Sequence, residues 1–266
     1  MRTSRHWVQI EGTLPTDDPQ SRVKVVAGSN VSEADAREEA ERRLIWLRRK
    51  VMGEEQAPEA YEAEIREQVL ETLSDKAVVT RNRYGARVLN CEVLPILDVD
   101  NPPSSWWQLF ARRTDAWRLA QMQKALTTLA EHHHQDGLGF RLYATAKGFR
   151  VVIVGKEIEP RHALARKLAY SLNTDPLYWR LCLKQGCYRA RLTPKPFRIK
   201  VPTIKVPFPP TPESIETVDA WEASIQGRAQ TFGVCRFIGR FGHDSASPLV
   251  KQHDERTGAH STRPLA

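Results

Sequence analysis

The chain has 266 residues, 41% of them hydrophobic and 27% charged, a balance that suits a folded protein with one substantial core and excludes a disordered or fibrous chain. A net charge of +8 and a pI near 9.5 lean toward an acidic partner, nucleic acid or nucleotide before a membrane surface. No stretch reads as a signal peptide or a transmembrane run, so a cytoplasmic setting without a membrane partner is expected. The scattered Cys91, Cys182, Cys187 and Cys235 suit reduced, buried thiols, neither a disulfide framework nor a structural zinc site.

From the start, His6 to Leu14 and Arg22 to Val26 alternate as strands do, with turn residues between Pro15 and Pro19. Ser32 opens a helix that carries acids in its first turns and bases in its last, to about Arg49. A second helix is expected from Tyr61 to Leu73. From Lys76 the pattern turns to strands: Ala77 to Thr80, Ala86 to Asn90, and an apolar run from Leu94 that ends in Asp98-Val-Asp100. Arg81 and Arg83 fall in the intervening turn, either solvated or lining the face of those carboxylates. The adjacent Trp106 and Trp107 diverge, so at most one is core and the other is free to stack or to contact a partner.

Asp115 to about His132 has helical periodicity, and the consecutive His132, His133 and His134 at its end point too far apart to chelate one ion. Phe140 to Thr145 and Phe149 to Val154 form a hairpin, and Pro160 to Leu172 a helix. Asp175 follows in an Asn-Thr-Asp-Pro stretch that is equally a turn or a helix cap, and then comes a short strand, Tyr188 to Leu192. Between Leu181 and Pro212 there is no acid; prolines alternate with Lys195, Arg198, Lys200 and Lys205. That arm is either a stiff linker wrapped over the domain or a phosphate track that continues the face of Arg189 and Arg191. Ser214 to Ala229 reads as a helix and Thr231 to Ile238 as a strand. The tail from Phe241, with its His243-Asp244 and His253-Asp254 pairs, is expected to be exposed.

Chemistry concentrates at Asp98 and Asp100. Strand side chains alternate faces, so these two carboxylates share a side at roughly 6–7 Å between Cα atoms. Like charges at that spacing invite a hard divalent cation, Mg²⁺ or Mn²⁺, although a polar turn ending the strand accounts for the same residues.

The order of parts resembles the archaeo-eukaryotic primase and primase-polymerase superfamily over about residues 76–198. A hydrophobic strand ending in Asp98 and Asp100 is similar to its first motif. Thr145, Lys147, Gly148 and Arg150 on the hairpin stand where its Ser-x-His motif would lie, with Arg150 in place of the histidine. Asp175, Tyr178, Arg189 and Lys195 follow its third motif and basic strand. The resemblance implies an α+β fold, a mostly antiparallel (RRM-like) sheet flanked by helices, here with a proline-rich basic arm and a small C-terminal helix-strand unit. It implies a DNA or RNA primase-polymerase acting in replication or repair. Asp98, Asp100 and Asp175 would be its catalytic metal ligands for Mg²⁺ or Mn²⁺. Thr145, Lys147, Arg150, Arg189 and Lys195 would bind a nucleoside triphosphate, and Arg191, Arg198, Lys200 and Lys205 the DNA or RNA. The alternative is a non-catalytic nucleic-acid-binding or regulatory protein on the same scaffold. The expected division is an N-terminal segment over 1–75, the core over 76–198, the arm with the helix-strand unit over 199–240 and the tail over 241–266.

Overall fold

The computed structural model describes residues 1–16, 21–54, 63–100, 115–245 and 247–266; Trp106 and Trp107 lie outside them. Alternating apolar residues form β1 (His6–Thr13) and β2 (Arg22–Ser29), an antiparallel pair. The helix α1 (Glu33–Val51) packs on both strands, with Ser32 accepting from the Asp35 amide as its cap, and Val25, Ala27, Ala40 and Leu44 form a small core of their own.

Two four-stranded sheets carry the rest. The first has the order β3 (Gln68–Ser74), β4 (Ala77–Arg81), β5 (Arg87–Cys91) and β9 (Tyr188–Arg191), all antiparallel. The helix expected up to Leu73 is therefore corrected to an edge strand. Its Glu-rich sequence has helical composition, but pairing with β4 across two register shifts decides the local structure.

The second sheet has the order β10 (Cys235–Gly242), β7 (Gly139–Thr145), β8 (Gly148–Val154) and β6 (Ile96–Asp100), again antiparallel throughout. Leu89 and Tyr188 of the first sheet and Ile96, Leu97, Phe140 and Val151 of the second belong to one core. The helix α2 (Asp115–His132) packs on β7 and β10, and α3 (Ala163–Ser171) adds Ala165, Leu168 and Ala169 to the core. The chain is thus α+β, with antiparallel sheets flanked by helices. The four cysteines are buried and unpaired, and among the described residues no helix is long and apolar enough to cross a membrane.

Residues 199–211 form neither helix nor strand, yet they are anchored: Ile199 and Val206 are buried, the Val206 amide donates to Arg83 O at 3.0 Å, and Phe208 meets the ring of Trp7 at 4.8 Å. From α5 (Pro212–Ala229), Trp221 Nε1 donates to Pro202 O at 2.9 Å. The tail expected to be exposed is instead helical. Pro248 begins α6 (Pro248–Thr257), Gly258 ends it at φ +67°, and Val250, His253, Asp254 and Thr257 are buried.

Candidate functional site

The edge strand β6 ends in Asp98 and Asp100, and its register with β8 sets Asp98 opposite Arg150 and Asp100 opposite Gly148. Its other edge is closed by the start of α4 (Pro176–Gln185). There the Asp175 amide donates to Asp98 O at 2.9 Å, and the Tyr178 hydroxyl donates to Ile96 O. Asp175 caps the helix by accepting from the Tyr178 amide at 2.5 Å. Pro176 at the first helical position and the left-handed Gly186 at the end fix α4 between β6 and β9. Asp175 is thus a helix cap, and it is also brought beside Asp98.

Arg150 is fully buried, and its charge is committed. Its Nε donates to Asp98 Oδ1 at 2.8 Å and its Nη2 to Asp98 Oδ2 at 3.3 Å, a forked cross-strand pair. Its Nη1 donates to Arg191 O at 3.3 Å and to His253 Nε2 at 3.2 Å. A guanidinium has only donors, so His253 Nε2 accepts. The imidazole proton then sits on Nδ1 and is donated to Asp254 Oδ1 at 2.9 Å. Asp254 Oδ2 in turn holds Arg141 at 3.0 Å and the half-exposed His260 at 3.3 Å, and Arg141 Nε donates to the Tyr143 hydroxyl at 2.9 Å. Burial keeps the pKa of His253 below its usual value, against the pull of Asp254 and with help from the Arg150 charge. A chain of buried polar groups therefore runs from Asp98 to α6.

In front of that chain lies a cavity of about 320 Å³ with two unlike walls. One wall is Asp98, Asp100 and Asp175. The other is Lys147 from the hairpin turn, Arg191 from β9, and Lys195 and Arg198 around the 3-10 turn Pro196–Arg198. Among the described residues, none of these four cations has an ion-pair partner, and the buried Nε of Arg191 has no hydrogen-bond partner at all. Burial, with Arg150 and Arg198 beside it, pushes the Arg191 guanidinium down to about 10, still charged at neutral pH. Lys195 is lowered by burial and by Arg191, Arg198 and Lys147. Across the gap, burial and the carboxylates of Asp175 and Asp98 raise the pKa of Asp100, while Lys195 and Arg198 pull it back. The two walls sense each other, yet no pair between them closes.

Of the residues expected from the sequence, Asp98, Asp100, Thr145, Lys147, Arg150, Asp175, Arg191, Lys195 and Arg198 all line this cavity. Arg189 does not. It shares one side of β9 with Arg191 but is bound to both oxygens of Glu67 at 2.6 and 2.7 Å and to Gln185 at 3.0 Å. Lys200 and Lys205 are exposed and lie outside the cavity lining. Arg81 is buried against Asp219 and Glu222, away from the β6 carboxylates, and Arg83 is exposed. Arg150, expected to hold phosphate, is instead saturated by Asp98, Arg191 O and His253, which leaves a single Nη2 hydrogen uncommitted. Sequence reasoning missed His253 and Asp254 as partners of the site. The Ser-Pro start and Gly stop of α6 were the signal that could have found them.

A divalent cation fits this carboxylate set only in part. Among the described residues no group of three His, Cys, Asp or Glu side chains is close enough to hold an ion. Asp98 is forked to Arg150 and Asp175 is partly spent on its cap, so Asp100 and the free oxygen of Asp175 are the available ligands. Mg²⁺ needs no more when substrate phosphates and water supply the rest of its shell. No family model matches the chain, and no curated protein and no solved structure matches it significantly.

Proposed function

We propose that the protein is a primase-polymerase-like nucleotidyltransferase that binds a nucleoside triphosphate, with its Mg²⁺ or Mn²⁺, in the cavity beside β6 and extends a nucleic acid on a template. The observation that carries this reading is the pair of facing walls, on which Asp100 on one side and Lys147, Arg191, Lys195 and Arg198 on the other have no ionic partner among the described residues. A free anion would be repelled by the three aspartates and a free cation by the four bases. A polyphosphate that arrives with its metal presents both signs at once. The β-α-β-β order of β6, α2, β7 and β8, with the carboxylates on the first strand, adds support for the primase-polymerase scaffold.

In this reading Lys147, Arg191, Lys195 and Arg198 bind the phosphate oxygens, Arg191 as the forked donor that lacks any other partner. Asp100 and Asp175 would hold the metal, which when bound neutralises charge that builds on the phosphates and the leaving pyrophosphate. Asp98 sits behind them, where Arg150 fixes it and so fixes the end of β6. Lys200 and Lys205 lie exposed outside the cavity and are left to a longer ligand, a DNA or RNA strand, whereas Arg189 is held by Glu67 and Gln185.

The commitment of Asp98 to Arg150 favours a second reading, a non-catalytic binder of nucleotide or nucleic acid on the same scaffold. Incorporation of labelled nucleotides on primed and unprimed templates with Mn²⁺ or Mg²⁺ separates the two, alongside nucleotide binding. The transferase predicts incorporation that Asp100→Asn lowers by at least a hundredfold, on the scale of lost electrostatic stabilisation in an active site. Metal-dependent nucleotide binding with no incorporation under either metal leaves the binder. No binding of nucleotide or of nucleic acid by the parent chain overturns both.

A further inference from the structure

We propose that Phe197 is a stacking shelf for a nucleobase, so that the ligand of the cavity is a nucleotide and not a bare polyphosphate or a phosphorylated sugar. This rests on the nucleoside-triphosphate reading of the cavity and deepens it by naming the side chain that would hold the base.

Phe197 is 62% exposed, although its neighbours Pro196 and Ile199 are buried. Its exposure is held in place by the backbone around it. The Arg198 amide donates to Lys195 O at 2.9 Å, the Ile199 and Val201 amides both donate to Pro196 O at 3.2 Å, and Arg228 Nε of α5 donates to Ile199 O at 3.1 Å. Prolines on both sides of Lys195 restrict the turn further. A large apolar ring fixed in water forgoes the stabilisation of burial, and this one does so on the lining of the charged cavity.

Lys195 and Arg198 line the cavity, and both lie over the Phe197 ring, Lys195 Nζ at 5.8 Å and Arg198 Cζ at 5.9 Å from its centroid, so the ring and the phosphate-binding cations form one surface. At about 320 Å³ the cavity is at the small end of the roughly 300–1,000 Å³ that ligand sites span. The ionic end of a nucleotide fills it, and the remainder emerges at the rim, where the exposed ring stands. Stacking of a base on an aromatic ring tolerates any base, because every base has a π-face, and purines offer the larger one.

The test compares the affinities of ATP, UTP and inorganic tripolyphosphate, each with Mn²⁺, for the full chain and for Phe197→Ala and Phe197→Trp. The exposed ring makes both variants safe for folding, which an unchanged melting temperature verifies. The shelf predicts that the parent binds ATP on the order of tenfold more tightly than tripolyphosphate, with UTP between them. Phe197→Ala should bring ATP down to the tripolyphosphate level without moving tripolyphosphate, and Phe197→Trp should restore the difference. If the parent binds tripolyphosphate and ATP equally, or if Phe197→Ala keeps the ATP advantage, the shelf is wrong while the phosphate reading stands. If the parent binds neither, both are wrong.

Discussion

Two of the cavities lined by the described residues carry charge, and they differ in what the charge is doing. The larger, about 690 Å³, lies between β4, β5, α5 and α6, and most of its ions are matched. Arg81 meets Asp219 at 2.6 Å and Glu222 at 2.7 Å, Arg87 meets Glu222 at 2.6 Å, and Arg256 meets Glu71 at 2.8 Å. The smaller, beside β6, leaves Asp100, Lys147, Arg191, Lys195 and Arg198 without ionic partners among the described residues. Volume alone would direct attention to the larger cavity. Unpaired charge is costly to hold in a fold and is kept where a ligand completes it, so the smaller cavity is the better candidate site.

The strongest way to break that contrast is to unpair the one ion pair beneath the small cavity. Arg150 is buried, and its neighbours leave it no second carboxylate, so Asp98→Ala strands a guanidinium in the core. The expected cost is about 3–5 kcal/mol in the free energy of unfolding, measured by urea denaturation. Replacement of both partners by apolar residues, Asp98→Leu with Arg150→Met, should cost less than Asp98→Ala. A larger cost for the double variant would mean that the pair, and not the stranded charge, carries the stability.

A smaller effect separates the two cavities directly. Glu222→Gln removes the charge that Arg81 and Arg87 share, at about 1.5–3 kcal/mol of stability, and should leave affinity for Mn²⁺ with ATP unchanged. Arg191→Met should do the opposite. It removes an unpartnered, largely buried guanidinium, so the melting temperature should hold or rise, while nucleotide affinity falls roughly tenfold or more with the loss of a charge-assisted contact. Equal losses of affinity in both variants would erase the distinction drawn here.

The same contrast explains what could be read in the sequence. The alternating strand β1, the β-branched apolar runs of β4 and β8, and the helices α1, with its cap, and α2, with its apolar face, follow from local pattern. So does the shared face of Asp98 and Asp100, which needs only the two-residue repeat of a strand. The edge strand β3 does not, because residues such as Gln68, Leu70, Glu71 and Leu73 favour a helix until β4 supplies the hydrogen bonds. The fate of each charge was also out of reach. Arg189 and Arg191 are equivalent by alternation, and only Glu67, 122 residues away in sequence, separates the tethered one from the free one. His253 meets Arg150 across 103 residues, and its burial turns a tail that looks polar and exposed into the floor of the site.

The smallest expected effect concerns Asp100 and carries a sign. Burial and the carboxylates of Asp175 and Asp98 raise its pKa in the folded chain above the unfolded value, so the native state binds the Asp100 proton more readily than the unfolded state does. For a raised carboxylate the favourable contribution is present at low pH and is lost as pH rises through the folded pKa, the reverse of a salt-bridged acid. At neutral pH Asp100 is therefore a small liability. Its removal by Asp100→Asn should raise stability by less than about 1 kcal/mol, because solvent screens much of the repulsion at this exposed carboxylate. The gain should shrink as pH falls through the folded pKa and vanish below the unfolded one, where both states are protonated. Ligand binding runs the other way: affinity for Mn²⁺ with ATP should fall as the solution is acidified, and should begin to fall at a higher pH than an unperturbed aspartate would give. Unfolding free energies and nucleotide affinities of the parent and of Asp100→Asn, taken between mildly acidic and neutral pH, measure both. A variant that is less stable than the parent at neutral pH would show that Asp100 is paired, and the unpaired acidic wall would lose its most exposed member.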